Sequence, residues 1–214
     1  GAKASVTYDI DNSCRFNKAD SARLSKTQSS PTLATKFTLS FWVKRCNLTY
    51  SECFLFDARV DANNRFKLSF QSADKLECFN SDGGSDTIAF VTNRQFRDPS
   101  AWMHIVLAVD TTDGTAGDRF KVYVNGTRET SFSSSTNPSQ NDANNVINEN
   151  SSDINIGAYN SGSGFSNFFD GYMTEVVFID GTAYAASDFG EFNEDSPTIW
   201  QPKDVSGLTF GTNG

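Results

Sequence analysis

The chain has 214 residues, and 26 acidic against 18 basic side chains leave a net charge of −8. That length suits one large β domain or at most two small ones, with ample material for a packed core. An acidic chain repels phosphate backbones, which argues against nucleic acid as the main partner, and no apolar run approaches the roughly 18 residues that membrane insertion would need.

Residues 1–12 read as an N-terminal extension that opens on an expression scar, Gly1-Ala2, with any targeting signal expected outside the chain. The domain proper is expected over 13–196. Phe37, Leu39, Phe41 and Val43 alternate with Thr38, Ser40 and Trp42, the period-two rhythm of a strand with one buried face. Trp42 therefore faces away from Phe41 and Val43, and its exposure would report which sheet face is open. Cys46 and Cys53 bracket a hairpin-like tip that a disulfide would pin, and Cys14 with Cys78 would form a second bridge; free, half-buried cysteines are the other reading. The alternation returns at Phe66, Leu68 and Phe70, between turns at Asp61-Ala-Asn63-Asn64 and Asp82-Gly83-Gly84.

Residues 102–110 and 172–180 are apolar on both faces for part of their length, as central strands between two layers are. The first of them carries His104, the chain's only histidine, so any Ser-His-Asp or Cys-His chemistry would have to run through it. No C-x-x-C or H-x-x-x-H spacing suggests zinc, and His104 reads as a core histidine needing one hydrogen bond. Asp110, Asp113 and Asp118 offer oxygen ligands of the kind calcium takes, in a tight loop whose other reading is a plain hairpin turn. Phe120, Val122 and Val124 lead into Asn125-Gly126, a hairpin signal because both turn positions need a positive φ.

Residues 131–152 are polar and cannot bury enough apolar area to order themselves. They read as a mobile insertion, with a binding loop as the alternative, and deleting 133–150 is expected to leave the melting temperature nearly unchanged. The stretch 159–169 interleaves aromatics with Gly, Ser and Asn, as a sugar-stacking loop would, with Tyr159, Asn160, Phe165 and Asn167 as contacts; alternatively Phe168 and Phe169 dive into the core. Helical periodicity is nearly absent, residues 183–189 alone suiting a short turn with Ser187 or Asp188 at its cap. After Pro197, Trp200, Pro202, Val205, Leu208 and Phe210 are separated by breakers, so 197–214 read as an extended tail of a longer chain. Nineteen of the aromatic residues are Phe, which packs between sheets without needing a hydrogen bond. The fold expected is all-β, a two-sheet antiparallel sandwich with little helix.

Four blocks carry a family resemblance. Phe37-Thr-Leu-Ser-Phe-Trp-Val-Lys44, Trp102-Met-His-Ile-Val-Leu-Ala-Val-Asp110, Phe120-Lys-Val-Tyr-Val-Asn-Gly126, and Ile154-Asn-Ile-Gly157 with Phe169-Asp-Gly-Tyr-Met-Thr-Glu-Val176 resemble, in the same order, strands of the laminin-G-like, concanavalin A-type jelly rolls. The flanks, Ser13-Cys-Arg-Phe-Asn17 with Ala22-Arg-Leu-Ser-Lys-Thr27 and Phe178-Ile-Asp-Gly181 with Trp200-Gln-Pro-Lys203, are similar to large virion proteins of marine bacteriophages, where such domains sit in tail fibres, tailspikes or capsid surfaces.

The resemblance implies a jelly roll that binds glycan or protein, often with calcium, and places a structural histidine at His104. It implies a non-catalytic adhesion module on the virion surface, with a host-surface receptor and other virion proteins as partners. A purely structural capsid or tail decoration domain is the alternative, and a glycosidase relative the third. The related glucanases place carboxylates about 5 to 9 Å apart on one face of a strand. Here Glu175 and Asp180 are five apart and would fall on opposite faces of a regular strand, against glucanase activity.

Overall fold

The computed structural model describes residues 8–48 and 52–214. Its strands are β1 (Cys14–Phe16), β2 (Leu24–Thr27), β3 (Lys36–Arg45), β4 (Glu52–Arg59), β5 (Arg65–Gln71), β6 (Lys75–Asp82), β7 (Ser85–Gln95), β8 (Met103–Asp110) and β9 (Phe120–Val124). They continue with β10 (Thr127–Glu129), β11 (Phe132–Thr136), β12 (Asp153–Ile156), β13 (Tyr159–Asn160), β14 (Phe165–Ser166), β15 (Gly171–Asp180), β16 (Gly190–Phe192) and β17 (Trp200–Pro202). A six-stranded sheet runs β1-β15-β3-β8-β9-β10 and a seven-stranded sheet β11-β7-β6-β5-β4-β12-β2. All the pairings in both are antiparallel. The fold is the expected all-β sandwich. Among the described residues no helix is long and apolar enough to cross a membrane.

The period-two positions build the core. Phe37, Leu39, Phe41 and Val43 face inward from β3 and meet Phe56, Phe66, Leu68 and Phe70 from the other sheet. Across the gap Phe41 lies 4.9 Å from Phe56, and Phe90 stacks on Phe120 at 4.3 Å. Such pairs add to the burial of apolar area that drives the sheets together. At the end of β9 the hairpin forms as its sequence demands, with Asn125 and Gly126 at φ 47° and 75°.

The outward face of the six-stranded sheet is covered as well. Val106, Val177 and Ile179 pack under Ala186 and Phe189, with Tyr184, Trp200, Val205, Leu208 and Phe210 against them. Hence β8 is buried on both faces, as its sequence suggests, but its outer cover is the C-terminal segment. That segment is extended and bound along its length: β17 pairs with β16, the Asp180 N–H donates to the Phe210 carbonyl at 2.7 Å, and Asn213 exchanges hydrogen bonds with the Ser29 backbone at 2.8 and 2.9 Å. The expected turn over 183–189 is a short 3-10 turn, Ala186–Asp188, with the Ala185 N–H donating to the Asp188 carboxylate at 2.8 Å.

Residues 131–152 correct the sequence reading. They are not a mobile insertion: β11 lengthens the seven-stranded sheet beside β7, and Val146 and Ile147 are each 1% exposed in the main core. The polar residues order the segment through hydrogen bonds rather than area. The Val146 N–H donates to Asn80 Oδ1 at 3.0 Å, Asn145 Nδ2 to the Ala34 carbonyl at 2.9 Å, and Thr111 Oγ1 to the Asp142 carbonyl at 2.6 Å. Buried amides satisfied in this way stabilise a segment that composition alone makes look disordered.

Candidate functional site

The site grows from one cross-strand pair. Trp42 on β3 and His104 on β8 are Cα partners on the outward face, their rings stacked at 4.9 Å with 19° between planes. Trp200 of β17 meets the edge of His104 nearly coplanar with it, ring centroids 6.0 Å apart and 19° between planes, and its Nε1 donates to His104 Nδ1 at 2.9 Å. Because the indole can only donate, Nδ1 carries the lone pair and the ring proton sits on Nε2, pointing at Ser40 Oγ 2.9 Å away. Burial pushes the His104 pKa down to about 4, so the ring is neutral. In this tautomer Nε2 has no lone pair to take the Ser40 proton, and Nδ1 faces an indole rather than an orienting carboxylate. His104 is a positioning residue that sets the two indoles.

Trp200 is held firmly. Gly126 and Gly190 press against its ring so closely that a Cβ at either would collide with it. Trp102, just before β8, is 36% exposed and stands over the same ground. All three tryptophans of the chain thus wall one cavity of about 330 Å³, closed by Ile10, Asn12, Thr174 and Gln201. Trp42 is only 7% exposed, yet its Nε1 is a buried donor with no partner among the described residues. An unpaired buried donor costs about 1–3 kcal/mol, a cost carried beneath the cavity wall. The arrangement offers apolar ring faces and a polar rim that includes Asp11, Asn12 and Gln201, a chemistry suited to binding.

The sequence pointed elsewhere for ligand contacts. Tyr159 is packed into the scaffold: its hydroxyl accepts from Arg65 Nη1 at 2.5 Å, with the Arg65 guanidinium over its ring at 4.4 Å and Phe54 at 4.8 Å. Asn160 and Phe165 do border a separate cavity of about 220 Å³ with Ser25 and Asn155, but Arg23 covers the Phe165 ring at 3.8 Å. Asn167 is exposed at φ 49°, and its carbonyl accepts from the Phe54 N–H at 3.0 Å, a turn position outside that cavity. Of the two residues the core reading of that loop names, Phe169 is fully buried and Phe168 only half-buried.

The acidic loop does not fit a shared calcium ion. Asp110 is paired with Lys36 at 2.8 Å, Asp118 with Arg128 at 2.7 Å, and Asp113 caps the Thr115 N–H at 2.8 Å. Among the described residues no three acidic, histidine or cysteine side chains gather to hold a metal. The carboxylates of β15 also stand apart, though not for the reason parity gave. A bulge between Thr174 and Val177, with Glu175 at φ 47°, breaks the regular alternation. Glu175 accepts from the Tyr8 hydroxyl at 3.2 Å, whereas Asp180, 2% exposed, accepts from the Thr32 N–H at 2.6 Å and Asn148 Nδ2 at 2.8 Å. The four cysteines are free, Cys14 and Cys46 exposed, Cys53 and Cys78 buried. Part of the 46–53 tip, residues 49–51, lies outside the described residues.

What the sequence reading missed was the meeting of the tryptophans. Trp42 was legible as facing away from the core. Trp200 lay in what looked like a loose tail, and only the β16–β17 hairpin returns it to the sheet. A usable signal was present: all three indoles sit outside the inward-facing strand positions, and Gly126 and Gly190 are the small residues that one of them needs.

A two-sheet antiparallel sandwich with an aromatic cleft on one outer face defines a lectin-like binding domain. The chain belongs to the concanavalin A-like lectin/glucanases superfamily, whose sequence profile matches residues 16–187. No curated protein sequence matches it. Among solved structures it is similar to the native heptameric SAP-like pentraxin of Limulus polyphemus, at 14% identity and TM-score 0.57, over 91% of this chain and 96% of that one. It is also similar to the CBM40 of the Ruminococcus gnavus IT-sialidase, at 11% identity and TM-score 0.54, over 78% and 95%. Domain 4 of an extracellular arabinanase from Geobacillus stearothermophilus, solved with arabinotriose, matches at 16% identity and TM-score 0.51, over 76% and 84%. At these identities the likeness is one of fold.

Proposed function

We propose that this chain is a non-catalytic adhesion module that recognises glycans through the cleft walled by Trp42, Trp102 and Trp200, and that it works on the surface of a bacteriophage virion. The observation that carries the glycan reading is the convergence of all three indoles on one cavity with a polar rim. Flat aromatic faces stack on the C–H faces of sugar rings, and convergent polar groups fix their hydroxyls. The arabinotriose seated on a similar fold supports the same reading. The virion setting rests on the flanking resemblance of residues 13–27 and 178–203.

The test is a glycan array probed with the labelled chain and with Trp102→Ala, whose half-exposed ring can be removed without opening the core. Binding by the parent and its loss in Trp102→Ala are expected; a blank array from folded parent protein would overturn the glycan reading. A second reading, a structural virion domain that packs on other virion proteins, is favoured by Phe192 and Ile199, which are 48% and 56% exposed beside the cleft. A blank array would favour it.

A further inference from the structure

Three cavities on this side of the molecule share walls in series. The 330 Å³ cavity and a neighbour of about 300 Å³ have Trp42, Trp102 and Trp200 in common. That neighbour shares Arg94, Val124 and Asn125 with a third cavity of about 520 Å³. The first and third share no lining residue, so the order is linear, with the tryptophans between the first two and Arg94 between the last two.

We propose that these cavities are successive subsites of one trough that takes an internal stretch of a carbohydrate chain, at least three sugar residues long, with Arg94 as the residue that reads its length. The proposal rests on the glycan reading above and adds the form of the ligand. Each cavity alone has the capacity of a small-molecule pocket, so a single pyranose would occupy one and leave the other two unfilled. The chemistry also changes along the row. The three tryptophans line the first two cavities and suit stacking, and the middle cavity adds mostly polar surface from Arg94, Asn125 and Thr127. The third is mostly apolar, with Phe96, Pro99 and Met103 in its walls, and Arg94 and Arg97 beside Asp98 supply the polar groups that suit sugar hydroxyls. Arg94 is preset for this role: its Nε donates to Glu129 at 2.8 Å, which fixes the plane of the guanidinium while its side chain stays 49% exposed. Arg97 is held in the same manner, its Nε donating to Asp74 at 3.0 Å.

The row contains every tryptophan of the chain, so selectively excited tryptophan emission comes from residues that line this trough. The experiment titrates the full chain with cello-, xylo-, arabino- and galacturono-oligosaccharides of one to six residues, following tryptophan emission. In a responding series, affinity is expected to rise at least roughly tenfold from monosaccharide to trisaccharide, since each filled subsite adds its own contacts. Arg94→Ala is expected to abolish most of that rise, and Arg94→Lys, which keeps the charge, to restore part of it. Trp102→Ala is expected to weaken every length. A response that does not grow with length, or that grows equally in Arg94→Ala, overturns the trough. No response in any series overturns the glycan reading itself and favours protein docking at this face.

Discussion

The neutral state of His104 makes a quantitative demand on stability in acid. The ring is 1% exposed, and burial brings its pKa down to about 4, against about 6.5 in an unfolded chain. The unfolded chain therefore takes up the proton first. The contribution of the neutral ring is complete above about pH 6.5 and is lost as the pH falls from there towards 4. A tenfold difference in proton affinity carries about 1.4 kcal/mol, so the gap caps the loss at about 3 kcal/mol, with about 2 kcal/mol already gone near pH 5. For a chain of this length that is a fall in Tm of roughly 4–8 °C.

Other groups titrate over the same range. Asp57, which burial raises to about 6 despite Arg65 beside it, works in the opposite sense, because the folded chain binds that proton first. Asp180 is held below the usual carboxylate range: burial pushes it up, but the N–H donors of Thr32, Leu33 and Asn148 outweigh burial, so it adds its own loss at lower pH. The clean measurement is therefore a difference. Urea unfolding of the parent chain and of His104→Gln, followed at pH 7.5 and near pH 5 by circular dichroism, cancels the carboxylates common to both. The parent is expected to lose about 2 kcal/mol more than His104→Gln between the two pH values. Equal losses would refute the buried, neutral histidine, and with it the tautomer that orients Trp200.

Ile147→Ala is expected to cost about 3 kcal/mol and lower Tm by roughly 6–12 °C, because it empties a fully packed position; deletion of 133–150 should prevent folding, and an unchanged melting curve for either would mean the segment does not pack. Cys14 and Cys46 should react with a thiol reagent in the native chain, while Cys53 and Cys78 react only after unfolding, since burial raises both thiols, Cys53 to about 11. Four fast thiols, or none, would contradict the burial pattern.

The inner faces were readable because Phe37, Leu39, Phe41 and Val43, then Phe66, Leu68 and Phe70, then Phe120, Val122 and Val124 fall at every second position of β3, β5 and β9. Asn125-Gly126 was readable because few other pairs accept two positive φ values. The outer layer was not, for a physical reason. Val205, Leu208 and Phe210 pack from irregular backbone, where spacing has no period to detect. Residues 145–148 were misread because their order comes from amide hydrogen bonds to Ala34, Asn80 and Asp180, partners more than thirty residues away that no local window contains. The cleft shares both difficulties, being assembled from a strand, a strand approach and a hairpin near the C-terminus.

Asp180 has a consequence for how the domain is made. Its carboxylate accepts from Thr32, Asn148 and Asn213 at 2.6, 2.8 and 3.3 Å, across sequence separations of 148, 32 and 33 residues. Three distant stretches of chain thus meet on one side chain, and the last of them lies one residue from residue 214. On a ribosome, the carboxylate has its full set of donors only after Asn213 has left the exit tunnel. The outer face of β8 likewise stays uncovered until the residues from Tyr184 to Phe210 have emerged. A nascent chain stalled ahead of residue 200 would expose that apolar face to chaperones, and covering of the face would coincide with completion of the aromatic cleft.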